Sequence, residues 1–162
     1  MEQIDFGLWN PEQKQVSKEK VGSKILSATW SPDGLTLAIG MQSGVISLRN
    51  QQGEETYRIE RRAPVFCMVF VPGVGGAVSK GGASPTSGGF IDGDVLAVGC
   101  WDKTLSMYRL QGTSHRLVGE RSLRYYPCSL ALAGANGSKS NNLVSAVLYR
   151  YLFNVCRITP RT

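Results

Sequence analysis

This sequence has very little histidine and no closely spaced cysteines. Its 162 residues include one histidine, His115, and four cysteines, Cys67, Cys100, Cys128 and Cys156, with no CxxC pair among them. Zinc sites use closely spaced Cys and His ligands, so these spacings argue against a metal site. We interpret His115 as a solvated loop residue. With no secretory signal before the first predicted strand, we expect reduced thiols in the cytosol.

The sequence also lacks the patterns of an enzyme or a membrane span. No Ser/His/Asp, Cys/His or paired-carboxylate arrangement can be assembled from it. The run "GVGGAVSKGG" (73–82) has the wrong residue order for a phosphate-binding loop and leads into no predicted helix. The apolar stretch 143–155 is too short to cross a bilayer, and Arg150 interrupts it. We therefore expect no catalysis, no cofactor, no metal and no membrane span.

Acidic residues are scarce in the second half of the chain. The net charge is +6, and Glu120 is the one acidic residue from Lys103 onward. A basic half could meet nucleic acid or an acidic partner. The basic residues are spread over strands and loops without a dense run, so we expect a solvated basic face and no nucleic-acid partner.

An internal repeat is the strongest pattern that the sequence does have. "LTLAIGMQSGVISLRNQQG" (35–53) recurs in degenerate form as "DVLAVGCWDKTLSMYRLQG" (94–112). A shift of 40 residues relates 5–10 to 45–50 and 25–32 to 65–72. A period of about 40 with short alternating apolar strands is typical of a β-propeller. The repeat predicts that Leu8, Leu48 and Met107 occupy equivalent inward positions.

The predicted fold is all-β, a partial β-propeller of about three four-stranded antiparallel blades. The predicted propeller region is 1–148, with blade parts at 4–20, 24–62, 63–123 and 127–148. A Gly/Ser-rich insert at 73–93 interrupts the third part, and we expect it to be dispensable. Residues 149–162 are predicted to be a separate tail. Propellers close with typically 4–8 blades, so we expect the chain to be incomplete at both ends.

Turn residues are the candidate site residues, and their expected role is structural. "SPDG" (31–34) places Asp33 and Gly34 in a hairpin turn. Asp102 is predicted to sit in a second tight turn, where an aspartate bonds backbone amides. We favour that role over catalysis for both aspartates.

Three tryptophans, Trp9, Trp30 and Trp101, recur at corresponding places in the predicted blades. Because large aromatic side chains usually fill cores, we expect packing residues and not a ligand cage.

The ends of the predicted third strands carry a degraded Trp-Asp dipeptide, at Trp9-Asn10, Arg49-Asn50 and Tyr108-Arg109. With Asp102 at the turn where such repeats favour aspartate, the chain resembles the WD-repeat propeller family. It departs from the family pattern because no Gly-His pair precedes the units.

A narrower resemblance covers roughly residues 4–133. The runs "DFGLW", "PEQK", "VSK" and "LAIGM" within 5–55 are similar to the WD-repeat subunits of intraflagellar transport complex A. This resemblance implies a non-enzymatic interaction scaffold in retrograde ciliary transport and cilium assembly. It implies other complex A subunits and ciliary cargo as partners, and a location in the cytoplasm, cilium and basal body. The alternative is a WD-repeat scaffold of another pathway, such as a vesicle-coat propeller.

Overall fold

The computed structural model describes residues 4–71, 95–111, 114–134, 141–149 and 152–158. Over these residues the regular structure is entirely β-strand, as predicted. The insert predicted at 73–93, with its expected dispensability, lies outside the described residues. The strands are β1 (Asp5–Asn10), β2 (Gln15–Lys20), β3 (Ile25–Trp30), β4 (Leu37–Met41), β5 (Val45–Arg49), β6 (Glu55–Glu60), β7 (Val65–Val71), β8 (Val95–Cys100), β9 (Thr104–Gln111), β10 (Ser114–Ser122), β11 (Pro127–Gly134), β12 (Asn141–Tyr149) and β13 (Leu152–Ile158).

The strands form four antiparallel sheets in which chain order is also spatial order. The first sheet is β1–β2, the second β3–β6, the third β7–β10 and the fourth β11–β13. Small meanders of this kind, stacked face to face, are the blades of a propeller. The prediction of a partial, all-β propeller is confirmed.

The fourth sheet uses residues from the predicted tail. β13 pairs with β12 over seven residue pairs, from Leu143 opposite Ile158 to Tyr149 opposite Leu152. The predicted limit at residue 148 therefore falls within β12, which pairs with a strand of the predicted tail. The domain limits themselves stay predictions.

The pairing register repeats from sheet to sheet. Ala38 of β4 lies opposite Leu48 of β5, and Ala97 of β8 lies opposite Met107 of β9. Both pairs keep the 59-residue offset read from the sequence. A slip of one residue would move each side chain to the other face of its sheet, so this agreement fixes which faces are equivalent.

An extra residue recurs at the same place in the first strand of three sheets. The register shifts once between Ile25 and Ser27, and again at the corresponding points of β7 and β11. The extra residues are Leu26, Phe66 and Cys128. A bulge bends its strand and re-aims the side chain it carries.

Three apolar clusters hold neighbouring sheets together. Leu8 packs in the cluster between the first and second sheets, Leu48 in the one between the second and third, and Met107 in the one between the third and fourth. All three face the next sheet along the chain, so their predicted equivalence is confirmed. Burying a leucine as fully as Leu48 stabilises the fold by roughly 1.5–3 kcal/mol.

Glycines in the second strands allow consecutive sheets to come close. A Cβ built on Gly40 would lie 2.5 Å from Cγ1 of Val65, and one on Gly99 would lie 2.8 Å from Cγ of Pro127. Val65 and Pro127 begin the first strands of the following sheets. A hydroxyl hydrogen bond, from Ser27 Oγ to the Val65 carbonyl at 3.3 Å, crosses the same junction. Glycine therefore recurs at this position because a side chain there would collide with the following sheet.

We predict that Gly40→Ala lowers the free energy of unfolding by about 1–3 kcal/mol, because its methyl group would displace Val65 from a packed junction. Gly22→Ala is the matched control, since a Cβ there meets nothing within 4 Å. Its effect should stay within about 0.5 kcal/mol. Urea titration of the full chain measures both, and equal losses would contradict the proposed role of the junction.

Candidate functional site

The predicted turn at Asp33 and Gly34 is held by its own hydrogen bonds. Asp33 Oδ1 accepts the Leu35 N–H at 3.0 Å and the Ser31 hydroxyl. Gly34 has a φ of 71°, in the left-handed region that glycine tolerates, and its N–H donates to the Ser31 carbonyl at 2.9 Å. The carboxylate is thus engaged in shaping the loop between β3 and β4.

Asp102 lies in the turn between β8 and β9. Its Oδ1 accepts the Thr104 N–H at 3.0 Å and the Thr104 hydroxyl. Its Oδ2 lies 3.8 Å from Nη2 of Arg61, which comes from the preceding sheet. The turn is therefore bonded both to itself and to its neighbour.

Asn10 and Asn50, at two of the three dipeptide positions, cap the turns that follow their strands. Each Oδ1 accepts two backbone N–H groups of the following turn, at 2.9 and 3.1 Å for Asn10 and at 3.0 and 2.9 Å for Asn50. Such local bonds explain why a short amide residue recurs there.

The first residues of the three dipeptides occupy three different environments. Arg49 is buried and places its guanidinium 5.0 Å from the ring centroid of Phe6 in the first sheet. Tyr108 is buried between the second and third sheets, while Arg109, the other half of its dipeptide, is exposed. Trp9 is exposed, on the face of β1 opposite to Phe6 and Leu8.

The three tryptophans are not core residues, so that expectation is wrong. Their exposed fractions are 59% for Trp9, 43% for Trp30 and 52% for Trp101. Trp30 ends β3 and Trp101 follows β8, so both lie at sheet ends and not between sheets. Trp9 and Trp30 line a groove of about 640 Å³ whose one ionisable lining residue is Glu12.

An arginine that sequence reasoning missed joins the second and third sheets. Arg61 follows β6 and is largely buried. Its Nη1 donates to Tyr108 Oη at 2.8 Å and to Glu120 Oε2 at 3.0 Å, and its Nη2 donates to Thr104 Oγ1 at 3.0 Å. With the Asp102 contact, one guanidinium binds four side chains of the third sheet.

The contacts within this cluster favour the charged forms of Arg61 and Glu120. Burial opposes the charge of Arg61, but the contacts with Tyr108, Cys100 and Glu120 leave its pKa above the ordinary value. Hydrogen bonds from Ser106, at 2.8 Å, and from Arg61 hold the pKa of Glu120 below its ordinary value. Both charges therefore persist at neutral pH and stabilise the junction between the sheets.

The thiols of Cys67 and Cys100 form no disulfide, and both are buried. Burial raises the pKa of Cys67 to about 12, with smaller contributions from Cys128 and Cys100. Burial also raises the pKa of Cys100, partly offset by its hydrogen bond with Arg61. Since the thiolate is the reactive form, both behave as small apolar side chains.

The interpretation of His115 as a loop residue is wrong. It lies in β10 and pairs with Leu110 of β9. Its Nδ1 lies 2.8 Å from the Tyr57 hydroxyl of the second sheet, and its ring centroid is 5.5 Å from that of Tyr108. Polar residues around it suggested a loop, but an outer strand exposes much of its surface and is polar for that reason.

Among the described residues, no group of three or more His, Cys, Asp or Glu side chains is placed to hold a metal ion. Over the same residues, no helix is long and apolar enough to cross a membrane.

The sequence is similar to intraflagellar transport protein 122 homologues. It is 42% identical to the one from Danio rerio over 131 residues and 43% identical to the one from Xenopus tropicalis over 132 residues. Each match covers 78% of this chain and 10% of the relative, so the chain spans about a tenth of their length. The Homo sapiens homologue is 60% identical over 57 residues. No protein-family model matches the chain.

Solved structures show the same fold. A chain of the mitotic checkpoint complex matches with a TM-score of 0.61 and 17% identity, over 88% of this chain and 38% of that one. BBS1N, crystallised in complex with ARL6DN, matches with a TM-score of 0.63 and 12% identity, over 92% of this chain and 39% of that one. At these identities the likeness concerns the β-propeller fold alone.

We predict that Arg61→Met lowers the free energy of unfolding by roughly 2–3 kcal/mol, because it removes charge-assisted hydrogen bonds at a buried junction. Arg58→Met is the matched control, since Arg58 pairs with Glu55 on an exposed face and should matter by less than about 1 kcal/mol. Denaturant titration compares them. Similar losses would show that Arg61 does not hold the sheets together.

The lowered pKa of Glu120 predicts a pH dependence. Its stabilising contribution is complete above the unfolded value of about 4.3 and is lost as pH falls through the lower folded pKa. Glu120→Gln should therefore flatten the loss of stability at acid pH. Glu12→Gln, whose carboxylate forms no hydrogen bond with a described residue, should retain the normal slope. Identical acid profiles for Glu120→Gln and the unmodified chain would contradict this assignment.

Proposed function

Because this chain belongs to the WD-repeat β-propeller family and matches intraflagellar transport protein 122 homologues, we propose that it is part of a subunit of intraflagellar transport complex A. The observation that carries the proposal is the identity of 39–43% over most of the chain. Solved propellers of the same fold share only 11–17% with it. A shared fold alone accounts for the lower identities but not for the higher.

The proposed role is that of a non-enzymatic interaction scaffold. This proposal is supported by the structural roles of the charged side chains described above. Arg61 and Glu120 join two sheets, and Asp33 and Asp102 stabilise turns. Groups so engaged are poorly suited to moving protons in a reaction. We propose structural turn roles for Asp33, Gly34 and Asp102 on the same grounds.

The remaining surface suits contacts with other proteins. Trp9, Trp30 and Trp101 are each exposed over roughly half of their surface at sheet faces and ends, and exposed aromatic residues are enriched where proteins meet. The proposed partners are other complex A subunits and ciliary cargo, and the proposed role is retrograde transport and cilium assembly. The proposed locations are the cytoplasm, the cilium and the basal body.

The proposed organisation is one of blade parts at 4–20, 24–62, 63–123 and 127–148. The repeated register and the recurring extra residue in β3, β7 and β11 support it.

Disruption of the gene that encodes this chain in a ciliated cell tests the proposal. We expect short or absent cilia, or swellings at ciliary tips where returning material accumulates. Re-expression of the unmodified gene should restore normal cilia, and a tagged product should lie at the basal body and along the cilium. Normal cilia with normal return transport, or a product at vesicle coats, would contradict the ciliary assignment and favour a WD-repeat scaffold of another pathway.

A further inference from the structure

An aromatic pocket lies where the third and fourth sheets meet at one end. Phe66, Trp101 and Tyr126 line it together with Pro127 and Cys128. The ring centroids of Phe66 and Trp101 are 5.2 Å apart and meet edge to face, and those of Trp101 and Tyr126 are 5.4 Å apart. Phe66 and Cys128 are the extra residues of their strands, so the bulges direct them into this pocket.

The size of the pocket limits what it can hold. Its volume is about 110 Å³. Sites for drug-sized ligands occupy roughly 300–1,000 Å³, whereas an apolar cavity of about 150 Å³ takes up a molecule the size of benzene. The pocket therefore fits one apolar side chain of a larger partner, and its apolar lining excludes a charged group.

Basic residues lie at the same end of the sheets as the pocket. The backbone N–H of Trp101 donates to the Pro64 carbonyl at 2.9 Å, and the backbone N–H of Leu123 donates to the Lys103 carbonyl at 2.7 Å. These bonds bring the segments 61–64 and 123–126 to the same end of the sheets. Arg62 and Arg124 lie in these segments, and Lys103 lies beside the second. All three are exposed and form no ion pair within the described ranges.

The carboxylates nearby do not neutralise these cations. Asp102 is bonded to Thr104 and lies against Arg61. Glu120 is bonded to Arg61 and Ser106. Glu60 ends the outer strand β6, whereas the pocket lies at the first strands β7 and β11. Asp102 and Glu120 share the one charge of Arg61, so the three exposed cations leave this end of the sheets with an excess of positive charge.

We propose that this end of the third and fourth sheets binds an acidic peptide segment of a partner protein, with one apolar side chain of that segment held in the pocket. Phe66, Trp101 and Tyr126 supply the apolar anchor site. Arg62, Lys103 and Arg124 supply charge complementarity, which speeds encounter and sets the register of the segment. This site rests on the proposed interaction role, but not on the ciliary assignment.

Single-stranded nucleic acid is the other partner that combines aromatic and basic groups, but its bases stack on open ring faces along a basic groove. Here Trp101 meets Phe66 edge to face, and the rings enclose a pocket of one side chain's size. That geometry favours an anchored peptide.

Fluorescence anisotropy with the full chain tests the site. The probes are a labelled short peptide of glutamates around a central leucine, and the same peptide with serine at the centre. We expect the leucine peptide to bind about tenfold more tightly, because the loss of a buried anchor costs on the order of 1.4 kcal/mol or more. This comparison uses the unmodified chain, so it does not depend on how variants fold.

Variants then locate the binding. Trp101→Ala should weaken binding of the leucine peptide about tenfold, and the double change Lys103→Ala with Arg124→Ala should weaken both peptides and reduce their salt dependence. Trp30→Ala is the matched control, because Trp30 is similarly exposed at the other end of its sheet, and it should change affinity less than about twofold. Thermal melts verify that each variant is folded.

Four results would overturn the proposal. They are equal affinity for the leucine and serine peptides, an effect of Trp30→Ala as large as that of Trp101→Ala, no binding of either peptide, and tighter binding of single-stranded oligothymidylate than of the leucine peptide at the same salt. None of them would alter the outcome of the gene disruption, so failure here is distinguishable from failure of the ciliary assignment.

Discussion

The fold depends on how closely one sheet approaches the next at the second-strand glycines. Gly40 and Gly99 leave the space that the first residue of the following sheet, Val65 or Pro127, then fills. With that contact made, the apolar faces on both sides close into continuous clusters. A side chain at either glycine would separate the sheets, and the loss would include dispersion contacts along the whole junction.

The junctions between sheets have similar geometry, but the side chains at equivalent positions differ: some are apolar and one is charged. Val21, Arg61 and Leu123 follow the last strands of three successive sheets, at spacings of 40 and 62 residues. Val21 and Leu123 pack in apolar clusters, whereas Arg61 binds Tyr108, Glu120 and Thr104. The junction between the second and third sheets is therefore specific in its polar contacts. Only a third sheet that presents these partners binds the two Nη atoms of the buried guanidinium, whereas its Nε has no hydrogen-bond partner among the described residues.

The sequence predicted the features that recur with a period. Leu8, Leu48 and Met107 could be aligned because strand faces alternate with a period of two and blades repeat, so their packing followed from spacing. The cluster around Arg61 could not be predicted, because its partners lie in the part of the third sheet that follows the insert. His115 and the tryptophans were misread for a related reason: composition does not tell an exposed outer strand from a loop, or a sheet end from a core. The pocket at Phe66 depends on a one-residue bulge that the repeat alignment does not display.

The approach of Val65 to Gly40 is the contact to measure most directly. In a nuclear Overhauser spectrum of the full chain with methyl-labelled valine, stacking of the sheets through these glycines predicts cross-peaks between the Gly40 α-protons and the Val65 methyl groups. It predicts equivalent cross-peaks between Gly99 and the ring protons of Pro127. Cross-peaks within sheets, such as those from Ala38 to Leu48, with none between Gly40 and Val65 or between Gly99 and Pro127, would contradict it. They would mean that the sheets form but do not stack through these glycines.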